Sequence, residues 1–177
     1  MILSTFAFID ARFGPEARAK VQQRLPDDQR ALLRNVASDT WVPLGTFAHL
    51  LHAMDDELGR GDLELVTQRG EWTATRDLTT IRKLILKFVP GAEVVERATS
   101  LWPKLHDSGK WSIERTAPNH ARAELSDLGF VDPAICASVK GWIVGLAKLT
   151  GSRRVDVRHT TCRVRGDRVC TFEIDWK

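Results

Sequence analysis

Val155-Asp156-Val157-Arg158-His159-Thr160-Thr161-Cys162-Arg163-Val164-Arg165-Gly166-Asp167-Arg168-Val169-Cys170-Thr171-Phe172-Glu173-Ile174-Asp175-Trp176 is the stretch whose reading decides the fold. Val155 and Val157 alternate with Asp156 and Arg158, which is the period of a strand with one face inward, and that parity carries His159 to the inner face. On the return run Cys170, Phe172, Ile174 and Trp176 share a face opposite Thr171, Glu173 and Asp175. Gly166-Asp167 supplies the turn, so the pattern predicts a terminal antiparallel hairpin over 154–164 and 168–176. With Cys162 and Val164 also inward, the inward set passes from odd to even numbers after His159. One extra residue, a β-bulge at Thr160-Thr161, produces that shift. A three-residue loop would then set Cys162 opposite Cys170.

Working outward, Asp132-Pro133 reads as cap and first residue of a long helix carrying Ile135, Val139, Trp142, Ile143, Leu146 and Leu149, closed by Gly151. Before it, Trp111, Ile113 and Arg115 alternate with Ser112, Glu114 and Thr116. A second alternating run covers 120–125, with Ala117-Pro118-Asn119 between the two. Upstream of Gly109 the period is helical. Gly14-Pro15 divides a first helix from a second that runs to Leu25, and Pro26-Asp27-Asp28 opens a short third. Pro43 starts a stronger helix through Leu44, Phe47, Ala48, Leu51, Met54 and Leu58, stopped by Gly59 and Gly61. Two further helices are expected at 79–88 and 92–105. Helices first, then strands with one helix inserted, predict an α+β fold in which a helical part packs on an antiparallel sheet. The expected organisation is one domain over 1–177, with a mainly helical part (1–108) and a part holding the sheet, long helix and hairpin (109–177).

A chain of 177 residues with 43% hydrophobic and 28% charged residues has enough apolar material for one core. Its 26 Lys and Arg against 23 Asp and Glu leave a net charge of +3, too small to imply a nucleic-acid partner. No apolar run is long enough to span a bilayer, and the first ten residues lack a basic start and a cleavage site. A cytoplasmic location is the expectation. Three cysteines, an odd number, argue against a disulfide framework and leave metal binding or plain burial. Arg153, Arg154, Arg158, Arg163, Arg165 and Arg168 read as the solvated outer face of an edge hairpin. A helical first half bearing Phe6 and Phe8 as exposed apolar residues predicts a homodimer.

The candidate metal-ligating residues are Cys136, His159, Cys162 and Cys170. The bulge turns His159 and Cys162 to one face, and Cys136 lies on the apolar side of the long helix that packs there. Three thiolates and one imidazole make a closed tetrahedral shell. The same residues also read as three buried cysteines beside a core histidine. His49, His52 and Asp56 are spaced for a facial metal site, yet they lie beside the apolar stripe and read as a solvated face. Trp72, Trp102 and Trp111 are candidates to line an apolar pocket, with His106 beside them. The sequence holds no nucleophile elbow, phosphate loop or dinucleotide motif, so no catalytic residues are expected.

Residues 135–176, with Cys136, Gly141, Gly145, Gly151, Cys162, Gly166-Asp167, Cys170 and Phe172, resemble the C-terminal half of a 4-vinyl-reductase-type domain. Trp41-Val42-Pro43 and Gly61-Asp62 resemble myxobacterial members of the group. The superfamily is similar in fold to subunits of the transport-protein-particle tethering complex and to haem-NO-binding sensors, and it includes sensor domains of phenol-responsive activators. In those sensors a zinc is held by a helix cysteine, a carboxylate and two hairpin cysteines. Cys136, Cys162 and Cys170 match the cysteines, and His159 stands at the carboxylate position. The resemblance therefore implies one structural zinc per chain. It also implies a non-enzymatic module that binds a small apolar or aromatic ligand and signals through a partner protein. The alternative it implies is a dimeric adaptor subunit without a ligand.

Overall fold

The computed structural model describes residues 1–82, 99, 102–103, 106–149 and 151–177. The first helices are α1 (Ile2–Phe13), α2 (Pro15–Gln23) and α3 (Asp27–Arg34), followed by α4 (Leu44–Leu58) and α5 (Glu64–Arg82). Then come strands β1 (Lys110–Ala117) and β2 (His120–Ser126), helix α6 (Pro133–Leu149), and strands β3 (Val155–Thr161) and β4 (Cys170–Trp176). Gly14, at φ 86, ends α1 with a conformation that a side chain resists, and Pro15 starts α2 at the position where a missing N–H costs nothing. The strands form one antiparallel sheet in the order β1-β2-β4-β3. The α+β class is as the sequence predicts.

Helix α6 is the central element. It meets β3 and β4 on one side and lies along α5 on the other. Its start is fixed by Asp132, whose Oδ1 accepts the Ala134 N–H at 2.8 Å and whose backbone carbonyl accepts those of Ile135 and Cys136. The α5–α6 contact is made by glycines. A Cβ built on Gly141 would lie 1.9 Å from the Thr67 carbonyl oxygen, and one on Gly70 would lie 2.3 Å from that of Ser138. One continuous apolar core runs from Ile2 and Phe8 of α1 through Leu50 and Met54 of α4 to Leu125, Phe172 and Ile174 of the sheet.

Several expectations need correction. Residues 62–78 carry no element in the sequence reading, yet α5 begins at Glu64 and extends to Arg82, absorbing the start of the helix expected at 79–88. Gly70, in the middle of α5, is a point of close approach to α6. The rest of 79–88, and nearly all of 92–105, lie outside the described residues. The hairpin strands are shorter than 154–164 and 168–176, and Val164, expected inward, is 43% exposed. The cause is local. The Cys162 N–H goes to the Asp167 carboxylate at 2.7 Å, and the Cys162 carbonyl accepts the Arg165 and Asp167 N–H groups. These bonds wind 163–165 into a 3-10 turn, closed by Gly166 at φ 94, in place of a tight loop. Phe6 and Phe8, expected on a dimer face, are 6% and 2% exposed, buried in the chain's own core. They give no basis for a homodimer. Among the described residues no helix is long and apolar enough to cross a membrane.

Candidate functional site

Two features stand out, a thiol–imidazole cluster at the sheet and a groove at the helical end. The cluster forms as the local rules of the hairpin require. The β3–β4 register pairs His159 with Phe172 and Thr161 with Thr171, so Thr160 is the extra residue of a bulge. The His159 ring stacks on Phe172 with centroids 4.5 Å apart and planes at 12°. Cys162 follows the strand end and Cys170 opens β4, paired with Leu125 of β2 rather than with Cys162. The two hairpin cysteines are therefore not ladder partners, as a tight turn would have made them. They converge instead on Cys136, in the first turns of α6, whose Sγ lies 3.7 Å from that of Cys170 and 3.9 Å from that of Cys162. The ligand atoms of Cys136, His159, Cys162 and Cys170 all lie within 4.8 Å of one another, the one such group of metal-competent side chains among the described residues. All three cysteines are buried and unlinked.

The cluster holds charge unevenly. Its hydrogen bond to Cys170, followed by burial and the neighbouring sulfurs, pushes the Cys136 thiol far up, so Cys136 keeps its proton. The same hydrogen bond from Cys136 holds the Cys170 thiol below the ordinary cysteine range. Burial opposes this, while His159 and the Arg163 backbone N–H, 3.4 Å from the sulfur, favour it. His159 Nε2 is buried and has no hydrogen-bond partner at ordinary distance.

The groove lies where α1 begins. Met1–Ser4, the connection over 36–43, Leu44 and Phe47 of α4, and His106 with Asp107 line an open groove of about 770 Å³. Trp41, 63% exposed, stands at its edge. His106 has its pKa lowered to about 4, first by burial and then by the chain's α-ammonium, with Asp107 opposing. It is neutral at neutral pH. Its ring stacks on Trp102 at 4.0 Å, and Trp102 stacks on Trp111 at 5.7 Å. Of the candidate pocket residues, only His106 lines the groove. Trp72 packs against Phe8 at 5.6 Å. Trp102 donates to the Ser108 carbonyl, and Trp111 is buried with its indole N–H unpaired. The groove walls at 1–4 and 36–43 were not read as a site, although Trp41-Val42-Pro43 carries part of the resemblance.

The other candidates do not assemble. His49 pairs with Gln29 and His52 with Asp132, and among the described residues no metal-competent group forms around them or Asp56. Of the hairpin arginines, Arg158 pairs with Asp175, Arg163 donates to the Leu128 carbonyl and Arg165 to that of Thr160.

No protein-family model matches the chain, and no curated protein matches it significantly. Solved structures do. An H-NOX protein from S. oneidensis in the Fe(II)NO ligation state superposes with a TM-score of 0.74 at 14% identity, over 99% of this chain and 97% of its own. Unliganded Fe(II) H-NOX from K. algicida gives 0.74 at 11% identity, over 99% and 94%. A structure described as modulating heme redox potential through porphyrin distortion gives 0.66 at 12%, over 98% and 92%. The expectation of a structural zinc is corrected by these neighbours. The metal they name is Fe(II), one names heme, and none names zinc, while three buried sulfurs that hydrogen-bond one another need no ion to be satisfied. At these identities the likeness concerns architecture: the chain has the fold of H-NOX domains.

Proposed function

We propose that this chain is a non-catalytic sensing module that takes a small apolar or aromatic molecule in the groove and passes its occupancy to a partner protein. The observation that carries the reading is the groove itself. Its volume suits a small organic ligand, and Ile2, Val42, Leu44, Phe47 and Trp41 give it an apolar part beside Ser4, Ser38, Asp39, Thr40 and Asp107. Neutral His106 offers it a hydrogen-bonding group. The H-NOX fold supports the reading, since the solved neighbours are described in NO- and CO-ligated states. Heme does not fit the described lining. Its propionates need cations, whereas the charged side chains there are Asp39 and Asp107, and the chain's α-ammonium is the one positive group among the described lining residues. Ligand contacts on α1 and on 36–44 would shift the helical half relative to the sheet.

The residues Cys136, His159, Cys162 and Cys170 are proposed as the ligand set of a metal site. Support comes from the convergence of four donor atoms and the buried Nε2 of His159. Elemental analysis of protein purified without chelator, covering all first-row transition metals, tests it. A metal-free chain with unchanged thermal stability rejects it.

Native mass spectrometry of the purified chain tests the sensing reading. A co-purifying organic mass that is lost in Trp41→Ala and His106→Ala supports it. A bare polypeptide mass, with no shift in melting temperature against a library of monocyclic aromatics, overturns it. A ligand-free dimer would favour the adaptor alternative.

A further inference from the structure

We propose that the groove selects an organic cation, an arylalkyl ammonium ion, over neutral and anionic molecules of the same shape. This selectivity rests on the sensing reading of the groove and adds the charge of its occupant. The walls are divided by chemistry. Ile2, Leu44 and Phe47 supply apolar surface, and Asp39 and Asp107 supply two carboxylates. Neither carboxylate makes an ion pair or a hydrogen bond among the described residues. No lysine or arginine is among the described lining residues, although the chain as a whole carries a net charge of +3. The Met1 α-ammonium is the one positive group there, so two negative charges stand against one positive and the walls are negative overall.

Local structure holds the polar part ready. The Thr40 N–H donates to the Ala37 carbonyl at 3.2 Å, and the Thr40 hydroxyl accepts the Ala37 N–H at 2.9 Å. These bonds close 37–40 into a turn that contains Asp39, so a hydrogen-bonded backbone presents the carboxylate. Trp41 follows at once, 63% exposed, and the negative face of an indole attracts a cation. His106 is uncharged at neutral pH, its pKa lowered to about 4 by burial first and then by the α-ammonium, with Asp107 opposing. A neutral imidazole does not repel an ammonium group, as the protonated ring would. The contributions differ in range. The carboxylates attract across roughly 8 Å at physiological ionic strength, whereas the indole and the apolar walls act on contact. A neutral ring gains chiefly from the apolar walls, and an anion meets two carboxylates. Exposed charges and an exposed indole each contribute modestly, so the preference for a cation is about tenfold rather than absolute.

The test is isothermal titration calorimetry of the full chain at neutral pH with three probes of one shape: phenethylamine, phenethyl alcohol and phenylacetate. The amine should bind about tenfold more tightly than the alcohol, and the alcohol more tightly than the carboxylate. Added salt should narrow the gap, because these charges are open to solvent. In Asp39→Asn combined with Asp107→Asn the ratio of amine to alcohol affinity should fall toward unity. Both residues are exposed, and a circular dichroism melt checks that the variant folds. Equal binding of amine and alcohol, or a preference for phenylacetate, would overturn the cation selectivity and leave the sensing reading standing. So would a tenfold preference that survives in the double variant, since the carboxylates would not be its source. If no probe binds while an organic mass still co-purifies, the cation selectivity alone is rejected. If no probe binds and the chain is a bare polypeptide, both readings fall. The order of the three probes on the unaltered chain decides even if the variant does not fold.

Discussion

Replacing Gly141 with alanine adds one methyl group where α6 touches α5. The new Cβ would lie 1.9 Å from the Thr67 carbonyl oxygen, 2.8 Å from its carbonyl carbon and 3.0 Å from the Glu71 nitrogen. All three are backbone atoms of a helix, so none can rotate aside, and the helices must part by more than an ångström to restore ordinary contact. Separation loosens Gly70 against Ser138 and Gly145 against Glu71 as well, because the three glycines lie along one contact line. Overpacking of this kind costs about 1–3 kcal/mol, and an immovable neighbour places it at the upper end. Alanine is better than glycine inside a helix by about 1 kcal/mol, which offsets part of the loss. The expected net destabilisation is therefore about 2 kcal/mol, or a fall of ~4–8 °C in Tm for a chain of this size. Urea denaturation followed by circular dichroism should show a lower midpoint at unchanged slope. Gly129→Ala is the control: its Cβ would meet nothing closer than the Ser108 hydroxyl at 3.4 Å, and the midpoint should stay within about 0.5 kcal/mol. A Gly141→Ala midpoint equal to or above that of the parent would refute the close-packed α5–α6 contact and leave helix propensity as the deciding term.

Acidification should destabilise the chain between pH 6.5 and about 4. His106 stays neutral there while the unfolded chain binds the proton, so stability rises with pH across that window and is lost on descending it. The loss is at most about 3 kcal/mol, given about 1.4 kcal/mol per pKa unit and the partial exposure of the ring. In His106→Gln the corresponding part of the pH slope of urea stability should vanish, and an unchanged slope would reject a buried neutral imidazole. Asp132→Ala removes the acceptor for the Ala134 N–H and the partner of His52. It should cost about 1–2 kcal/mol in thermal melts, and an unchanged melt would show that the cap contributes nothing. Arg69, 3% exposed, donates to the Ser138 hydroxyl and the Met1 carbonyl and lies over Phe47. Arg69→Met should lower stability by about 1–3 kcal/mol, and a neutral result would show that packing alone holds α5 to α1 and α6.

What was legible in the sequence is what short-range chemistry controls. Alternation along 155–159 and 170–176 reports which face is buried. The parity slip at Thr160 reports the bulge, because a strand has no other way to turn consecutive inward residues off phase. Those two signals, with Asp132-Pro133 fixing the phase of α6, suffice to bring Cys136, His159, Cys162 and Cys170 together. What the four residues hold is a different matter, since the same sulfurs satisfy one another by hydrogen bonds. The resemblance named zinc, whereas the solved structures of this fold name iron and heme. The hairpin loop failed for a reason of range. Asp167 takes the N–H of Cys162 through its side chain, a competition with the ladder that alternation does not record. The role of Gly70 is hidden from the sequence for the opposite reason. Its local cost in a helix is plain in the sequence, but the contact that offsets it is supplied by Ser138 and Gly141, far along the chain. The groove is the extreme case. Its walls come from the first residues, an irregular connection before α4 and the residues around His106, which no period links. A site assembled from separate irregular segments exists only once the helices have packed. Its chemistry must be read from burial and charge at His106, where a neutral imidazole at neutral pH is the physical sign that the chain has drawn a polar group out of water.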